Sequence, residues 1–301
     1  MMEKLLDDLK IIYGRPFHDI VMHRDMIGYV CIVYENKERY VLKLFKSRNT
    51  EQALQSVEIM QYLAFAGFPA ARIHPVSTGE AYFRCHYQGE ERIGILYEYV
   101  SGREPNKGFD ILGISRQSGR LHRLMAEYPF SLCCHEKEFF IDRYVRCLEE
   151  RSYPRTQEFR DYGNLLWSRV EKLPRGFCHG DYHTGNMLSS RGNYVLFDFD
   201  AAAKAFPVYD IAVFCDMTNY FTLSEGEYDD TRYMLEKFLR GYRECQDISD
   251  EEIRAVYSFI AIRHYEAQAT IIENLGADCI DDLFIDHQLT WLRQWERLAL
   301  H

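Results

Sequence analysis

With 301 residues, 47% of them apolar, the chain is long enough to bury a large core and to fold as two lobes or domains. Its formal charge of −10 excludes nucleic acid as a natural partner, because a phosphate backbone would be repelled, and suits a cationic or neutral small molecule. No apolar run approaches the roughly 20 residues that span a bilayer, the N-terminus alternates charge with leucine and does not resemble a leader, and nine cysteines without a Cys-x-x-Cys pair suggest reduced thiols in a cytoplasmic protein.

In chain order, Glu3–Ile12 reads as a short amphipathic helix stopped by Gly14-Arg15-Pro16. Phe17–His23, Tyr29–Tyr34 and Arg39–Phe45 then form three strands of an antiparallel meander, with turns between them that include the single glycine Gly28. Lys43 lies in the third strand, where the period of two sets it on the face opposite Leu42 and Leu44. Two readings fit it: a phosphate-binding lysine, or an edge-strand lysine that discourages aggregation. Asn49-Thr50-Glu51 opens a helix with Leu54, Val57, Met60, Leu63 and Ala64 at helical spacing up to Gly67. Residues 70–76 and 81–87 continue the sheet, and 92–100 form its last strand, ending at Ser101-Gly102.

The remainder is mainly helical, with helices over 113–126, 139–149 and 159–173, the last broken by Pro174-Arg175-Gly176. There follows His179-Gly180-Asp181-Tyr182-His183-Thr184-Gly185-Asn186, a turn, the β-prone run 193–197, and Asp198-Phe199-Asp200. This is the spacing of a phosphoryl-transfer site: Asp181 to orient a hydroxyl, then the Asn186 amide and the Asp198 carboxylate to hold magnesium. Protein kinases use His-Arg-Asp-x-x-x-x-Asn and Asp-Phe-Gly in the same order. Here Gly180 replaces the arginine and Asp200 the glycine, and the short stretch from Asp198 to Asp210 leaves no room for an activation loop. Asp200 fits either a second metal contact or an exposed turn acid. Cys133-Cys134-His135 lacks a second half-site and reads as no metal cluster.

With Pro207-Val208-Tyr209-Asp210-Ile211-Ala212 supplying a downstream Asp-Ile-Ala, the chain resembles the aminoglycoside phosphotransferase and choline kinase family of small-molecule kinases. That resemblance implies an α+β, bilobal, protein-kinase-like fold: a nucleotide-binding lobe over residues 1–97, with an antiparallel sheet and a helix, and a mainly helical catalytic and substrate-binding lobe over 98–301. It implies ATP or GTP with Mg2+, bound by Lys43, with Glu58 pairing that lysine and Glu51 as the rival partner. Backbone groups of Glu98, Tyr99 and Val100 would read the adenine edge, amides near Met26 to Gly28 would reach the phosphates, and Asp210 would anchor the catalytic loop. His122 would pack beneath that loop, and His183 would face solvent or cap it.

Helices over 228–245, 250–275 and 280–300 complete the chain, and the acids of 229–286 lie where this family builds its acceptor pocket. Tyr265 and Glu266 are the pocket candidates there, for a hydroxyl acceptor of aminoglycoside, amine or alcohol type. Homoserine, choline and sugar acceptors stay open. The alternative class is a kinase-like binding or spore-coat-type protein without catalysis, against which the intact set of Lys43, Asp181, Asn186 and Asp198 argues.

Overall fold

The computed structural model describes residues 2–25 and 28–299. The first elements are α1 (Met2–Tyr13), β1 (Asp19–Asp25), β2 (Tyr29–Glu35), β3 (Glu38–Phe45), α2 (Thr50–Phe65), β4 (Ile73–His74), β5 (Phe83–Tyr87) and β6 (Glu90–Glu98). Then come α3 (Ile111–Met125), α4 (Arg143–Glu150), α5 (Thr156–Val170), β7 (Gly176–Cys178), β8 (Met187–Ser190), β9 (Asn193–Leu196) and β10 (Ala203–Ala205). The chain finishes with α6 (Pro207–Cys215), α7 (Glu225–Tyr242), α8 (Asp250–Leu275) and α9 (Asp282–Ala299). None of the described helices is long and apolar enough to cross a membrane.

Two compact units result. One runs to Pro105 and takes in Gly185–Ala201; the other comprises Asn106–Thr184 and the chain from Ala202 onward. The sequence boundary between 97 and 98 leaves out the β8–β9 hairpin, which joins the first unit through backbone pairing. Ala71 N–H donates to Leu196 O at 2.8 Å, and Ser189 and Arg103 exchange backbone bonds at 2.8 and 3.2 Å.

In the first unit the sheet is antiparallel in the order β1-β2-β3-β6-β4, with β5 also pairing β6. β3 thus lies inside the sheet, which removes the edge-strand reading of Lys43. Alternation buries Tyr40, Leu42 and Leu44 on the face covered by Leu5, Leu9 and Tyr13 of α1. The opposite face packs Phe45, Ile93 and Ile95 against Ala53 and Val57 of α2. Each such side chain contributes about 1.5–3 kcal/mol by leaving water.

In the second unit α8 is the central helix, burying Phe259, Ile260, Ile262, Tyr265 and Ala269. α3 packs closely on α7 at Gly241, where a Cβ would meet Ser115 Oγ at 2.1 Å and Leu112 O at 2.7 Å. Two elements here escape sequence reasoning. β10 is only Ala-Lys-Ala, and it forms because it pairs antiparallel with β7, Ala203 facing Cys178. α6 starts at Pro207, whose missing N–H costs nothing in a first turn.

Candidate functional site

The first unit holds a cluster of charged groups around Lys43. The Lys43 ammonium donates to Asp198 Oδ1 at 2.8 Å and to Asp200 Oδ2. Burial opposes the charged form of Lys43, but the two carboxylates outweigh it and hold the ammonium above the usual lysine range. Burial and the adjacent Asp198 charge push Asp200 up to about 7 despite the lysine. Asp200 is thus a half-buried member of the cluster, not an exposed turn acid.

Asp198 sits in the left-handed region at φ 64, which a residue with a Cβ rarely adopts. Such a conformation costs on the order of 1 kcal/mol and persists where surrounding contacts fix it. Here Phe197 N–H donates to Asn186 O at 3.1 Å, which keeps the Asp198 turn beside the buried Asn186. The metal-donor atoms of Asn186, Asp198 and Asp200 are an amide oxygen and carboxylate oxygens, the two carboxylates being neighbours that share one ammonium. That donor set suits a hard divalent cation such as magnesium.

Lys43, Asn186 and Asp198 line a cavity of about 420 Å3 in this unit. Val30, Ile32, Val41, Ala71, Leu188 and Phe197 supply apolar wall, His23, Arg24 and Arg39 add charged or polar groups, and Glu98, Tyr99 and Val100 also line it. The Arg39 guanidinium lies 4.0 Å from the centre of the Tyr99 ring. Of the amides expected near Met26 to Gly28, Met26 and Ile27 lie outside the described residues. Gly28 is buried against β3, where a Cβ would meet Leu44 O at 2.9 Å.

Glu58 is corrected. It is exposed on α2, and the Lys43 ammonium is bonded to the two aspartates instead. The helix explains why: Ala53, Ser56, Val57 and Met60 share the buried face, and a residue two beyond Ser56 is turned about 200° away.

In the second unit the loop after β7 is built around Asp210 of α6, which is fully buried. Its Oδ2 accepts from His179 N–H at 2.7 Å and from His122 Nε2 at 3.0 Å. Oδ1 accepts from Gly180 N–H at 2.9 Å and from the Cys178 thiol at 3.1 Å. Burial raises the Asp210 pKa, but the bonds from His122 and His179 outweigh it and leave the carboxyl below its ordinary value. His122 is fixed in turn by the Tyr242 hydroxyl at 2.8 Å, so it is a packed histidine of the loop's support. Gly180 has φ +81, so a residue with a Cβ would be strained where a protein kinase carries arginine.

Asp181 follows directly. Its Oδ1 accepts from Arg263 Nη2 of α8 at 2.9 Å, and its Oδ2 faces His183 Nε2 at 3.2 Å. Burial would raise its pKa, but the His183 bond and the Arg263 charge prevail and hold it well below the carboxylate range. His183 therefore contacts Asp181 rather than only facing solvent.

Arg263 is the residue that sequence reasoning missed, and the helical repeat could have revealed it. Arg263, Glu266 and Thr270 recur at i, i+3 and i+7 on one stripe of α8. Tyr265 falls on the opposite face and is corrected: it is fully buried, packs against Tyr144 and Phe159, and its hydroxyl donates to Phe159 O at 2.9 Å. It belongs to the core and cannot line a pocket. Glu266 is half-buried, accepting from Thr270 Oγ1 at 2.9 Å and from the Tyr209 hydroxyl at 3.4 Å.

The acids of 229–286 are mostly engaged elsewhere. Glu244 pairs with Arg116, Glu273 with Arg143, Asp282 with Arg151 and Asp286 with Arg155, while Glu252 caps α8 through Ser249.

Comparison with known proteins agrees with this frame. The sequence profile of the phosphotransferase enzyme family matches residues 28–248. An uncharacterized protein of Deinococcus radiodurans is 31% identical over 305 aligned positions, covering 94% of this chain and 86% of that protein. Among solved structures, an amicoumacin kinase in complex with AMP-PNP, Ca2+ and Ami superposes with a TM-score of 0.76 at 17% identity, over 98% of this chain and 93% of that one. A microcompartment-associated aminopropanol kinase does so with a TM-score of 0.72 at 14% identity, over 99% and 96%. A spectinomycin phosphotransferase in complex with ADP and spectinomycin gives 0.65 at 15% identity, over 99% and 97%. The fold is therefore kinase-like, and the chain belongs to the phosphotransferase enzyme family.

Proposed function

We propose that the protein is an ATP-dependent, magnesium-dependent kinase that moves the γ-phosphate of the nucleotide to a hydroxyl of a small molecule. The observation that carries this reading is the Lys43, Asp198 and Asp200 cluster, of which Lys43 and Asp198 line a mainly apolar cavity. A flat heteroaromatic base would lie against the apolar wall of this cavity, with backbone groups of Glu98 to Val100 to read its polar edge. Lys43 binds the α- and β-phosphates, its charge assured by the burial balance described above. Asn186, Asp198 and Asp200 would hold magnesium, which would supply neutralising charge for the phosphate tail. Asp198 and Asp200, which share the Lys43 ammonium here, would then turn to the ion, and Lys43 would face phosphate oxygens.

Asp181 takes the proton of the attacking hydroxyl. Its low pKa makes it a weak base, so it acts mainly by orienting the hydroxyl, as suits a loose phosphoryl-transfer transition state in which little proton transfer is needed early. Asp210 keeps Asp181 in place through the backbone of His179 and Gly180.

The test is ADP release with magnesium over a panel of alcohols, amino alcohols and aminoglycosides, alongside calorimetric titration of ATP. Asp181→Asn should bind ATP normally and lose about 10²–10⁴ in turnover. Lys43→Met should weaken ATP affinity at least about tenfold, the worth of one charge-assisted contact. ATP binding by Lys43→Met equal to wild type would refute the nucleotide site. Tight ATP binding with no turnover on any alcohol would favour the non-catalytic, kinase-like binding protein.

A further inference from the structure

The acidic chain suggests a cationic acceptor, but the groups around Asp181 have the opposite character. Arg263 donates to Asp181 Oδ1 through Nη2, interacts also with the Tyr209 hydroxyl and feels the Glu266 charge, and among the described residues no second carboxylate lies within ion-pair distance of its guanidinium. A guanidinium carries five donors in a planar fork that matches a carboxylate in two-point fashion. Most of that capacity faces no acid here. The pair is open to an incoming molecule: the Arg263 side chain is 27% exposed and that of Asp181 is 37% exposed.

A second cation stands nearby without an acid of its own. Lys107 is half-buried, and its ammonium donates to the backbone carbonyl of Asp216 at 2.8 Å and lies 5.4 Å from the centre of the Phe214 ring. No described carboxylate forms an ion pair with it. Burial lowers its pKa, and the Arg263 charge adds to that, so the two cations are within electrostatic reach of each other. The Asp216 carboxylate that senses both is occupied by Thr218, accepting from its N–H at 2.9 Å and its hydroxyl at 2.7 Å. Glu266 is likewise occupied by Thr270 and Tyr209. Asp181 and, at longer range, Glu266 offset the Arg263 charge, whereas the half-buried Lys107 has no ion pair among the described residues, so an added anion would offset part of its desolvation cost.

We infer that the acceptor is an alcohol bearing a carboxylate, that Arg263 and Lys107 recognise this group, and that its arrival draws Arg263 away from Asp181 and frees that carboxylate to face the hydroxyl. This rests on the kinase reading above and names the substrate class for it. Arg263 is then a specificity-determining residue, and an empty acceptor site keeps Asp181 engaged, which limits wasteful transfer to water.

The experiment uses three alcohols with one carbon frame: glycerate, glycerol and 3-amino-1,2-propanediol. Each is titrated into the full chain with magnesium and a non-hydrolysable ATP analogue, following thermal stabilisation and heat of binding. Glycerate should bind at least about tenfold more tightly than either of the others, the worth of one charge-assisted contact. In Arg263→Gln that ratio should fall toward one, Arg263→Lys should restore part of it, and Lys107→Gln should lower it independently. A preference for the amine, no stabilisation by millimolar glycerate, or a ratio unchanged in both Arg263→Gln and Lys107→Gln would overturn the inference. Binding of the ATP analogue, read in the same samples, reports separately on the kinase reading: its absence sinks that reading, whereas its presence without a carboxylate preference sinks only this one.

Discussion

Asp210→Asn tests the idea that one buried carboxylate assembles the loop after β7 that carries Asp181. The aspartate accepts from four donors, two of them backbone amides at 2.7 and 2.9 Å. An asparagine keeps one acceptor oxygen and turns an NH2 toward the donors of the other side, either His179 and His122 or Gly180 and Cys178. Two buried donors then lose their acceptor and face a third, at about 1–3 kcal/mol each. The expected loss is about 3–5 kcal/mol, the range for breaking one side of a buried charged network. Against a typical total of about 5–15 kcal/mol this is a large share, and at about 2–4 °C per kcal/mol it lowers the melting temperature by roughly 10 °C. The assay is urea unfolding followed by tryptophan fluorescence, which reports on the right part of the molecule because Trp167, Trp291 and Trp295 all lie in the second unit. Cys178→Ala is the control: it removes only the thiol's weak bond and should cost less than about 1.5 kcal/mol. Stability of Asp210→Asn within about 1 kcal/mol of wild type would refute the reasoning.

Two further outcomes follow from buried side chains. His264 is stacked between Tyr220 and Trp291 and donates from Nδ1 to Gln288 Oε1 at 2.8 Å; burial lowers its pKa to about 4. Below pH 6.5 the unfolded chain binds a proton there that the folded chain refuses, so this stability is complete above 6.5 and is lost as pH falls toward 4. The loss is about 3 kcal/mol at the lower end, and urea midpoints of wild type and His264→Gln across that range should show a flatter profile for the variant. His135, lowered to about 4 by burial and the Arg143 charge, retains its own share of the dependence. Equal slopes would count against the assignment. Tyr265→Phe should cost about 1 kcal/mol through the lost bond to Phe159 O while leaving acceptor KM unchanged; an altered KM would return Tyr265 to the pocket.

Much of this architecture was legible because its determinants are local. The period of two in β3 sets Lys43 apart from Leu42 and Leu44, and the fixed spacing from His179 to Asn186 and on to Asp198 identifies phosphoryl-transfer chemistry without any knowledge of packing. What the sequence could not convey is which face of a helix meets what. Glu58 is suggested by its separation from Lys43 and Tyr265 by its place on the acid-rich C-terminal helices, and in both cases helical phase decides otherwise: Glu58 is two residues past the buried Ser56, and Tyr265 is two past Arg263. The same phase explains why an arginine unremarkable in the sequence reaches Asp181. A cation at that point also changes how net charge should be used. The total of −10 governs long-range attraction, but Glu244, Glu273, Asp282 and Asp286 are paired with Arg116, Arg143, Arg151 and Arg155, so the sum over the chain does not fix the charge that a molecule beside Asp181 would meet. Beside Asp181 the Arg263 guanidinium is in ion-pair contact, and that local charge together with Lys107, not the total, favours a carboxylate-bearing acceptor.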